Sequence, residues 1–242
     1  MKILVISDVH ANLTALEAVL ASAGTVDAVW CLGDIVGYGP DPNECVQRVR
    51  ALPHLSCVMG NHDIAVVNDR NIDKFNDDAE KSIRFTKEKL APENLAFLKK
   101  LREKVITQTM TLAHGSPRNP VWEYLVEPFV AMMNFAYFST QLAFVGHSHL
   151  PIAFTMDANG DKIIRTIAEG DLEMPISGRA ILNPGSVGQP RDRDPRASYG
   201  LFDPETSVWK IVRVEYDIAS VQQRILDSGL PEKGAQRLST GW

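Results

Sequence analysis

The chain begins with a short strand pattern whose chemistry changes abruptly at its end. Ile3 to Ile6 are apolar without alternation, which indicates a strand buried on both faces, as in a parallel sheet covered by helices. Asp8 and His10 follow, and because they are two residues apart their side chains leave the same face of an extended chain. A carboxylate beside an imidazole suits a divalent transition metal, whereas the alternative is a loop aspartate and a surface histidine.

The first part of the chain alternates between strand and helix patterns. Apolar stretches at 28–32 and 55–59 predict two further strands. Between the strands, apolar residues recur every three or four positions, first after a cap at Asn12 or Thr14 and again over 43–52. Strands that alternate with helices predict an α/β fold built on a parallel sheet with crossover connections.

The remainder of the chain predicts helices first and then mostly short strands. Residues 73–103 have a helical composition, and Pro92 is placed to begin a second helix within them. A helix is also predicted before residue 138, after an irregular proline-containing stretch. Two strands are predicted within 105–113, single strands over 142–145, 199–202 and 208–214, and one final helix over 218–226.

Polar side chains follow five of the predicted strands at the point where each strand ends. Five of the 6 histidines occur there, beside a glycine or a carboxylate, and only His54 lies elsewhere. Because ligands of α/β sheets bind at the carboxyl ends of the strands, we expect these side chains to converge at one edge. The residues concerned are Asp8, His10, Asp34, Asn61, His62, His114, His147 and His149.

This set of nitrogen and oxygen donors is larger than one tetrahedral metal ion needs. It fits two adjacent ions that share a carboxylate, which clamp the attacking and leaving oxygens of a displacement and lower the pKa of a bound water to about 7. His62 is placed to donate a proton to the leaving group, or alternatively only to order Asn61. Asp63 is placed to orient the His62 ring, with capping of the next helix as the alternative.

The order of these motifs resembles that of the calcineurin-like metallophosphoesterases. The motifs that carry the resemblance are Asp8 with His10, Gly33 with Asp34, Gly60 to Asp63, His114 with Gly115, and Gly146 with His147 and His149. The resemblance implies an α/β fold in the form of a four-layer α/β/β/α sandwich, in which two mixed β-sheets pack face to face. It also implies hydrolysis of a phosphomonoester or phosphodiester by a hydroxide activated at a dinuclear metal centre.

The resemblance further implies a role for each ligand. Asp34 would bridge two divalent transition-metal ions, for which these mixed donors leave manganese, iron, zinc and cobalt open. His62 would be the proton donor or the phosphate-contacting catalytic group. The first ion would be held by Asp8, His10, Asp34 and His149, and the second by Asp34, Asn61, His114 and His147.

One departure from the family pattern concerns the phosphate contact. Protein phosphatases of the superfamily place a phosphate-gripping arginine after the Gly-Asp motif, where this chain has a glycine-rich loop around Tyr38. Arg118 is the candidate to replace that arginine, because a guanidinium forks onto phosphate oxygens, and the alternative is an ordinary loop arginine. Asn12 is a second candidate for substrate binding, with helix capping as the alternative.

A glycine-containing segment at 183–188 predicts a tight turn near the site, where backbone approaches the histidines. Tyr38 is predicted to line the mouth of the site. The arginines that follow the turn alternate with aspartates, which predicts that they pair locally on a solvated loop: Arg191, Arg193 and Arg196.

Length, charge and cysteine content set the remaining expectations. The absence of a linker predicts a single domain over residues 1–242. A net charge of -5 makes nucleic acid an unlikely partner, and no apolar stretch is long enough to span a membrane. Unpaired cysteines and no signal peptide predict a cytoplasmic location. The expected substrate is a small phosphoester, a phosphoprotein being possible, and the alternative function is a non-catalytic metal-binding or interaction module on the same fold.

Overall fold

The computed structural model describes residues 1–157, 159–160 and 162–242. In chain order the strands are β1 (Ile3–Ile6), β2 (Ala28–Cys31), β3 (Ser56–Cys57), β4 (Lys104–Ile106), β5 (Met110–Ala113), β6 (Leu142–Phe144), β7 (Pro151–Met156), β8 (Ile163–Ile167), β9 (Leu172–Pro175), β10 (Ala180–Pro184), β11 (Ala197–Asp203) and β12 (Val208–Val214). The α-helices are α1 (Leu13–Ala23), α2 (Pro42–Arg50), α3 (Asn61–Asn68), α4 (Asp77–Lys89), α5 (Pro92–Leu98), α6 (Pro128–Asn134), α7 (Ile218–Asp227) and α8 (Glu232–Thr240).

The first sheet contains the parallel strands predicted from the start of the sequence. Its strand order is β3-β2-β1-β11-β12-β9. Strand β1 runs parallel to β2, which runs parallel to β3, and Cys31 lies beside Cys57 in this register. On its other side β1 pairs antiparallel with β11, so that Val5 lies opposite Gly200. The sheet is therefore mixed, because β11, β12 and β9 extend the parallel part with antiparallel pairs.

The second sheet comes from the middle of the chain and has the order β4-β5-β6-β10-β7-β8. Its central strands β5, β6 and β10 run parallel to one another. Strands β4, β7 and β8 add antiparallel pairs at the two sides. Both sheets thus combine a short parallel centre with antiparallel flanks.

Alternate residues of single strands belong to different hydrophobic cores. In β1, Val5 packs in a core shared with Phe144 of the second sheet, whereas Ile6 packs with Leu16 of α1. Full burial of a side chain of this size stabilises the fold by about 1.5–3 kcal/mol. The apolar run that opens the sequence is therefore covered by helices on one face and by the other sheet on the opposite face.

The second sheet repeats this division between an inner and an outer face. In β10, Leu182 points into the core between the sheets, and its neighbour Ile181 packs with Phe135 and Ala131 outside. Ala131 belongs to α6, so helices cover the outer face of this sheet as well. The order helix, sheet, sheet, helix confirms the predicted four-layer α/β/β/α sandwich.

Two elements differ from the sequence prediction. Strand β3 is shorter than the predicted 55–59, because the N–H of Met59 already donates to the carbonyl of Arg102 at 2.8 Å. The predicted final helix is followed by a second one, α8, after Gly229 adopts a φ of +70° and Pro231 supplies no N–H for a continuous helix. Within the described residues, no helix is long and apolar enough to cross a membrane.

Candidate metal centre and active site

The polar side chains named from the strand ends lie together at one edge of the sandwich. Strands β1, β2 and β3 of the first sheet and β5 and β6 of the second sheet end at this edge, each just before its polar residues. We call the following seven residues, none more than 4% exposed, the ligand edge: Asp8, His10, Asp34, Asn61, His114, His147 and His149.

The backbone turns sharply where β1, β2 and β6 meet the ligand edge. Asp8, His10 and Asp34 have φ values of 54°, 47° and 52°, and His147 and His149 have 65° and 59°. Left-handed backbone is uncommon for residues other than glycine, although aspartate and histidine tolerate it better than most. Main-chain hydrogen bonds hold the turns, since the N–H of Asp8 donates to the carbonyl of Gly33 at 3.0 Å and that of His10 to Asp34 at 2.9 Å. The turns thereby direct the side chains inward.

Three histidines of the ligand edge are oriented by backbone carbonyls. Nδ1 of His10 lies 3.2 Å from the carbonyl of Val36, and Nδ1 of His114 lies 2.8 Å from that of Leu32. Nδ1 of His149 contacts the carbonyl of Gln189 in the same way. A carbonyl only accepts, so each Nδ1 carries a proton, and a ring that is neutral keeps its Nε2 lone pair for another partner. Histidines that bind metals are oriented in this way.

The donor atoms of the first group face one another without protons between them. Nε2 of His10 and Nε2 of His149 are 3.2 Å apart, although both are lone-pair atoms in the neutral rings. Asp8 Oδ1 lies 3.2 Å from the same atom of His149, is buried, and accepts no hydrogen bond from the described residues. Three acceptors this close would repel one another unless a cation lies between them. The group therefore fits a divalent metal ion.

A second group adjoins the first and shares Asp34 with it. Asp34 Oδ2 lies 3.3 Å from Nε2 of His114 and 3.7 Å from Nε2 of His10. Nε2 of His114 also lies 3.0 Å from Oδ1 of Asn61 and 3.1 Å from Nδ1 of His147. Asp34 is thus the carboxylate that stands between the two groups, and its position fits a bridge between two ions.

Burial and mutual charge set the protonation of this cluster. Burial lowers the pKa of His147 to about 3 and that of His10 well below its usual value, so both rings stay neutral. Although burial acts against it, the Asp34 carboxylate raises the pKa of His114 to about 9, while His114 and His62 hold the pKa of Asp34 well below its usual range. Ionised carboxylates and mostly neutral imidazoles are the state in which such residues bind metals.

Asp63 has partners other than the one expected from the sequence. Its carboxylate accepts hydrogen bonds from the backbone N–H groups of Gly60 at 3.0 Å, Asp34 at 2.8 Å, Ile35 at 3.0 Å and Val36 at 3.3 Å. These four replace the predicted contact with the His62 ring, which lies beside Gly37 and whose Nδ1 has no hydrogen-bond partner among the described residues. Asp63 therefore caps α3 and fixes the loop that carries Asp34.

His62 is buried against the ligand edge and lines the cavity in front of it. Its ring packs edge-on against His10 at 4.9 Å and Phe75 at 4.8 Å between centroids. Nδ1 is buried without a partner among the described residues, and a Cβ on Gly37 would lie only 2.3 Å from it. Burial lowers the pKa of His62 to about 4. The close approach of the loop thus requires glycine at position 37.

The two residues expected to bind substrate are engaged elsewhere. Asn12 is 1% exposed, accepts from the N–H of Ala15 at 3.0 Å as the cap of α1, and donates to the carbonyl of Gly188 at 3.0 Å. The guanidinium of Arg118 is ion-paired with Glu123, with Nε 3.3 Å from a carboxylate oxygen. Neither residue lines the cavity. The alternative interpretations therefore hold: Asn12 is a helix cap, and Arg118 is a loop arginine in an ion pair.

A cavity of about 160 Å³ opens in front of the ligand edge. Tyr38 lines it, as expected. The larger side chains at its sides, beside the smaller Asn76 and Ala79, we call the cavity wall: Lys74, Phe75, Trp122, Tyr124 and Arg191. Sequence reasoning missed Arg191 because it follows a pattern of alternating charges. The signal that could have found it is the 183–188 turn, since Gln189 at its end contacts His149.

Comparisons with known proteins agree with this arrangement. The calcineurin-like phosphoesterase superfamily domain matches residues 1–207. A metallophosphoesterase from Sphaerobacter thermophilus, known from a crystal structure, is 46% identical in sequence to this chain. The two structures align with a TM-score of 0.92 over 100% of this chain and 99% of that one. An uncharacterized protein of Methanocaldococcus jannaschii is 41% identical over 99% of this chain and 98% of its own length.

A third similarity is local. A symmetrical bis(5'-nucleosyl)-tetraphosphatase of Pectobacterium atrosepticum is 37% identical over 68 residues, which are 26% of this chain and 24% of that enzyme. The family match covers most of the chain and includes every residue of the ligand edge and both His62 and Arg191. The chain belongs to the calcineurin-like phosphoesterase superfamily.

Proposed function

We propose that the protein hydrolyses a phosphomonoester or phosphodiester with the help of two divalent transition-metal ions. The observation that carries the proposal is the position of Asp34, whose carboxylate adjoins both donor groups of the ligand edge. Three groups of residues could each hold a metal ion, because the donor atoms within each group lie within 4.8 Å of one another: Asp8, His10 and His149; His10, Asp34 and His62; Asp34, His114 and His147. Asp34 belongs to two of the three groups.

The residues of the ligand edge divide into two overlapping sets in this proposal. Bound ions of this kind polarise a phosphoryl group and activate a water for attack. Manganese, iron, zinc and cobalt all accept such mixed nitrogen and oxygen donors. The first ion would be held by Asp8, His10, Asp34 and His149, and the second by Asp34, Asn61, His114 and His147.

His62 is the proposed catalytic group that contacts the phosphate or donates a proton to the leaving oxygen; the proton donation requires the negative charge of a bound phosphoryl group to raise the pKa of the ring from about 4. It is 3% exposed, lies against His10, and lines the cavity from which a substrate would approach. A positioned acid of this kind contributes roughly 10²–10⁴-fold to turnover. Asp63 acts through the loop rather than on the substrate, because its carboxylate holds Asp34 and Gly60 in place.

The size and walls of the cavity support a small phosphoester as the substrate. The cavity of about 160 Å³ is large enough to hold a phosphoryl group against the ligand edge. Phe75 and Trp122, whose ring centroids are 5.4 Å apart, offer an aromatic surface to a leaving group. The local similarity to a symmetrical bis(5'-nucleosyl)-tetraphosphatase adds a bis(5'-nucleosyl) tetraphosphate to the substrates worth testing.

The decisive experiment is a substrate screen on metal-reconstituted protein with elemental analysis of the same sample. Bis-p-nitrophenyl phosphate, p-nitrophenyl phosphate and a bis(5'-nucleosyl) tetraphosphate are compared after loading with manganese, iron, zinc or cobalt. We expect hydrolysis of at least one of them by protein that holds two ions per chain. Two ions per chain without hydrolysis of any phosphoester would favour the alternative, a metal-binding module without catalysis.

The role of His62 is tested by His62→Ala. We expect turnover to fall roughly 10²–10⁴-fold while the metal content stays unchanged. His54→Ala is the matched control, since His54 is exposed and is not among the residues that line the cavity. Equal turnover in the two variants would remove His62 from the mechanism.

The cytoplasmic location of the protein stays a prediction, which cell fractionation tests.

A further inference from the structure

Arg191, a cation of the cavity wall, has no carboxylate partner among the described residues. The loop after β10 carries three arginines, of which Arg196 pairs with Asp194 and Arg193 stacks on Trp242 at 5.1 Å. Arg191 forms no ion pair with any described residue; its Nη2 donates to Oε1 of Gln189 at 2.9 Å. Its Nε is buried and has no hydrogen-bond partner in the described part of the chain. A buried donor on a permanent cation is costly unless a ligand satisfies it.

The position of Arg191 relates it to the metal centre. Its guanidinium lies 5.9 Å from the centroid of Tyr38, the residue at the loop where no arginine follows Asp34. Arg191 lines the same cavity as Asp34, His62 and His149. The cavity therefore receives from a distant loop a positive charge that the loop after β2 lacks.

The loop that carries Arg191 is fixed to the ligand edge. The N–H of Gly188 donates to the carbonyl of Asp8 at 2.9 Å, and the Ser186 hydroxyl donates to the same carbonyl at 2.8 Å. The carbonyl of Gln189 contacts Nδ1 of His149. Two residues before the arginine, the backbone is thus held by residues proposed to bind the first ion. This attachment gives the guanidinium a defined place relative to a phosphoryl group bound at the metals.

We infer that Arg191 binds a non-bridging oxygen of the phosphoryl group during hydrolysis. The inference rests on the proposed phosphoester hydrolysis and assigns the phosphate contact within it. A guanidinium presents N–H donors in a fixed fork that matches phosphate oxygens, and its charge offsets the charge that develops on the phosphoryl group. Lys74 lines the same cavity but is exposed and lies 5.4 Å above the Trp122 ring, which places it farther toward solvent.

The test compares Arg191→Met and Arg191→Lys with Arg193→Met as the matched control. The metal-loaded proteins are titrated with inorganic phosphate by calorimetry, and turnover of bis-p-nitrophenyl phosphate and metal content are measured on the same samples. We expect Arg191→Met to bind phosphate roughly 10–100-fold more weakly and to lose about 10²-fold in turnover, with unchanged metal content. Arg191→Lys should be intermediate, because it keeps the charge and loses the fork. Arg193→Met should match the wild type within about twofold.

Two outcomes would overturn the inference. Wild-type phosphate affinity and turnover in Arg191→Met would show that the guanidinium does not contact the phosphoryl group, while the proposed hydrolysis would stand. A loss of metal from Arg191→Met and Arg191→Lys alike would make Arg191 a support of the metal centre instead. If the wild type hydrolyses no phosphoester, the proposed function fails, and the phosphate titration still decides whether Arg191 binds phosphate.

Discussion

The ligand edge and the cavity wall belong to one site but are held in different ways. Every residue of the ligand edge is at most 4% exposed, and backbone carbonyls orient three of its histidines. The cavity wall is half-buried or exposed and is held mostly by ring contacts, such as Tyr124 stacked on His147 at 4.0 Å and Lys74 over Trp122 at 5.4 Å. Arg191 joins the two regions, since its loop is attached to the ligand edge.

This difference separates chemistry from recognition. A buried donor or acceptor that loses its partner costs about 1–3 kcal/mol, so the ligand edge tolerates little change. Exposed wall residues make contacts worth much less to stability, and their replacement leaves the sandwich intact. We therefore expect substitutions in the ligand edge to remove metal and activity, and those in the wall, apart from Arg191, to alter substrate affinity alone.

Asp34→Asn breaks the ligand edge most severely. Asp34 Oδ2 lies 3.3 Å from Nε2 of His114 and 3.7 Å from Nε2 of His10, so the amide removes a negative charge that both donor groups share. We expect turnover to fall on the order of 10³-fold and elemental analysis to find fewer than two ions per chain. Asp227→Asn, at an exposed position that ends α7, should retain both. A fully metallated Asp34→Asn protein would contradict the bridging role.

Gly37→Ala tests the junction of the two regions. Gly37 has a φ of +90°, and an added Cβ would lie 2.3 Å from Nδ1 of His62. The ring must move, and a displacement of about 1 Å in a catalytic group costs up to about 10²-fold in turnover. Kinetics and metal analysis should show low turnover with both ions retained. Gly234→Ala is the control, because a Cβ there meets nothing within 4 Å. Equal activity of the two variants would show that the close contact between Gly37 and His62 does not matter for catalysis.

Asp63→Asn weakens the ligand edge from behind. The amide nitrogen would face backbone N–H groups that now donate to the carboxylate, including that of Asp34 at 2.8 Å. We expect metal affinity, measured by chelator competition, to fall roughly 10–100-fold and the free energy of unfolding to fall by about 1–3 kcal/mol. Asp217→Asn is the control, since this residue also caps a helix, through the N–H of Ser220, and asparagine caps equally well. Unchanged metal affinity in Asp63→Asn would deny Asp63 its positioning role.

Tyr124→Ala probes the cavity wall and should have the smallest effect. Tyr124 is 53% exposed and stacks on His147, so its removal opens the cavity without uncovering the core. We expect the KM for bis-p-nitrophenyl phosphate to rise about fivefold, as for one lost aromatic contact, with little change in kcat or metal content. Tyr137→Ala, equally exposed at 53% but outside the cavity, should leave KM unchanged. Loss of metal from Tyr124→Ala would erase the distinction between wall and ligand edge.

Much of the ligand edge could be predicted from the sequence because its signals are local. A buried strand followed by an aspartate or histidine recurs along the chain, and the side chains of Asp8, Asp34 and His147 do lie together. The periodicity alone predicted a parallel sheet between helices. It could not tell whether a helix or a second sheet packs against Val5, because the hydrophobic effect favours burial without selecting the element that buries the side chain. The sandwich was predicted only through the family resemblance.

Polar partners distant in sequence were predicted poorly. Arg191 was expected to pair with the neighbouring aspartates, but Asp192 pairs with Arg213 and Asp194 pairs with Arg196. The Asp63 carboxylate likewise bonds backbone groups up to 29 positions away. Hydrogen bonds and ion pairs depend on direction and distance, and a local sequence pattern does not predict which donor from a distant part of the chain will be the partner.

The sequence by itself determined which side chains would be buried at strand ends, since strand period and apolar content decide that locally. Only the tertiary structure decided that the ends of two sheets meet, so that His114 and His147 from one sheet face Asp34 from the other. It also decided that Arg191 lies over Tyr38. The reason is that packing of the two sheets is driven by a shared apolar core, whereas the polar contacts at its edge follow from the geometry that this packing produces.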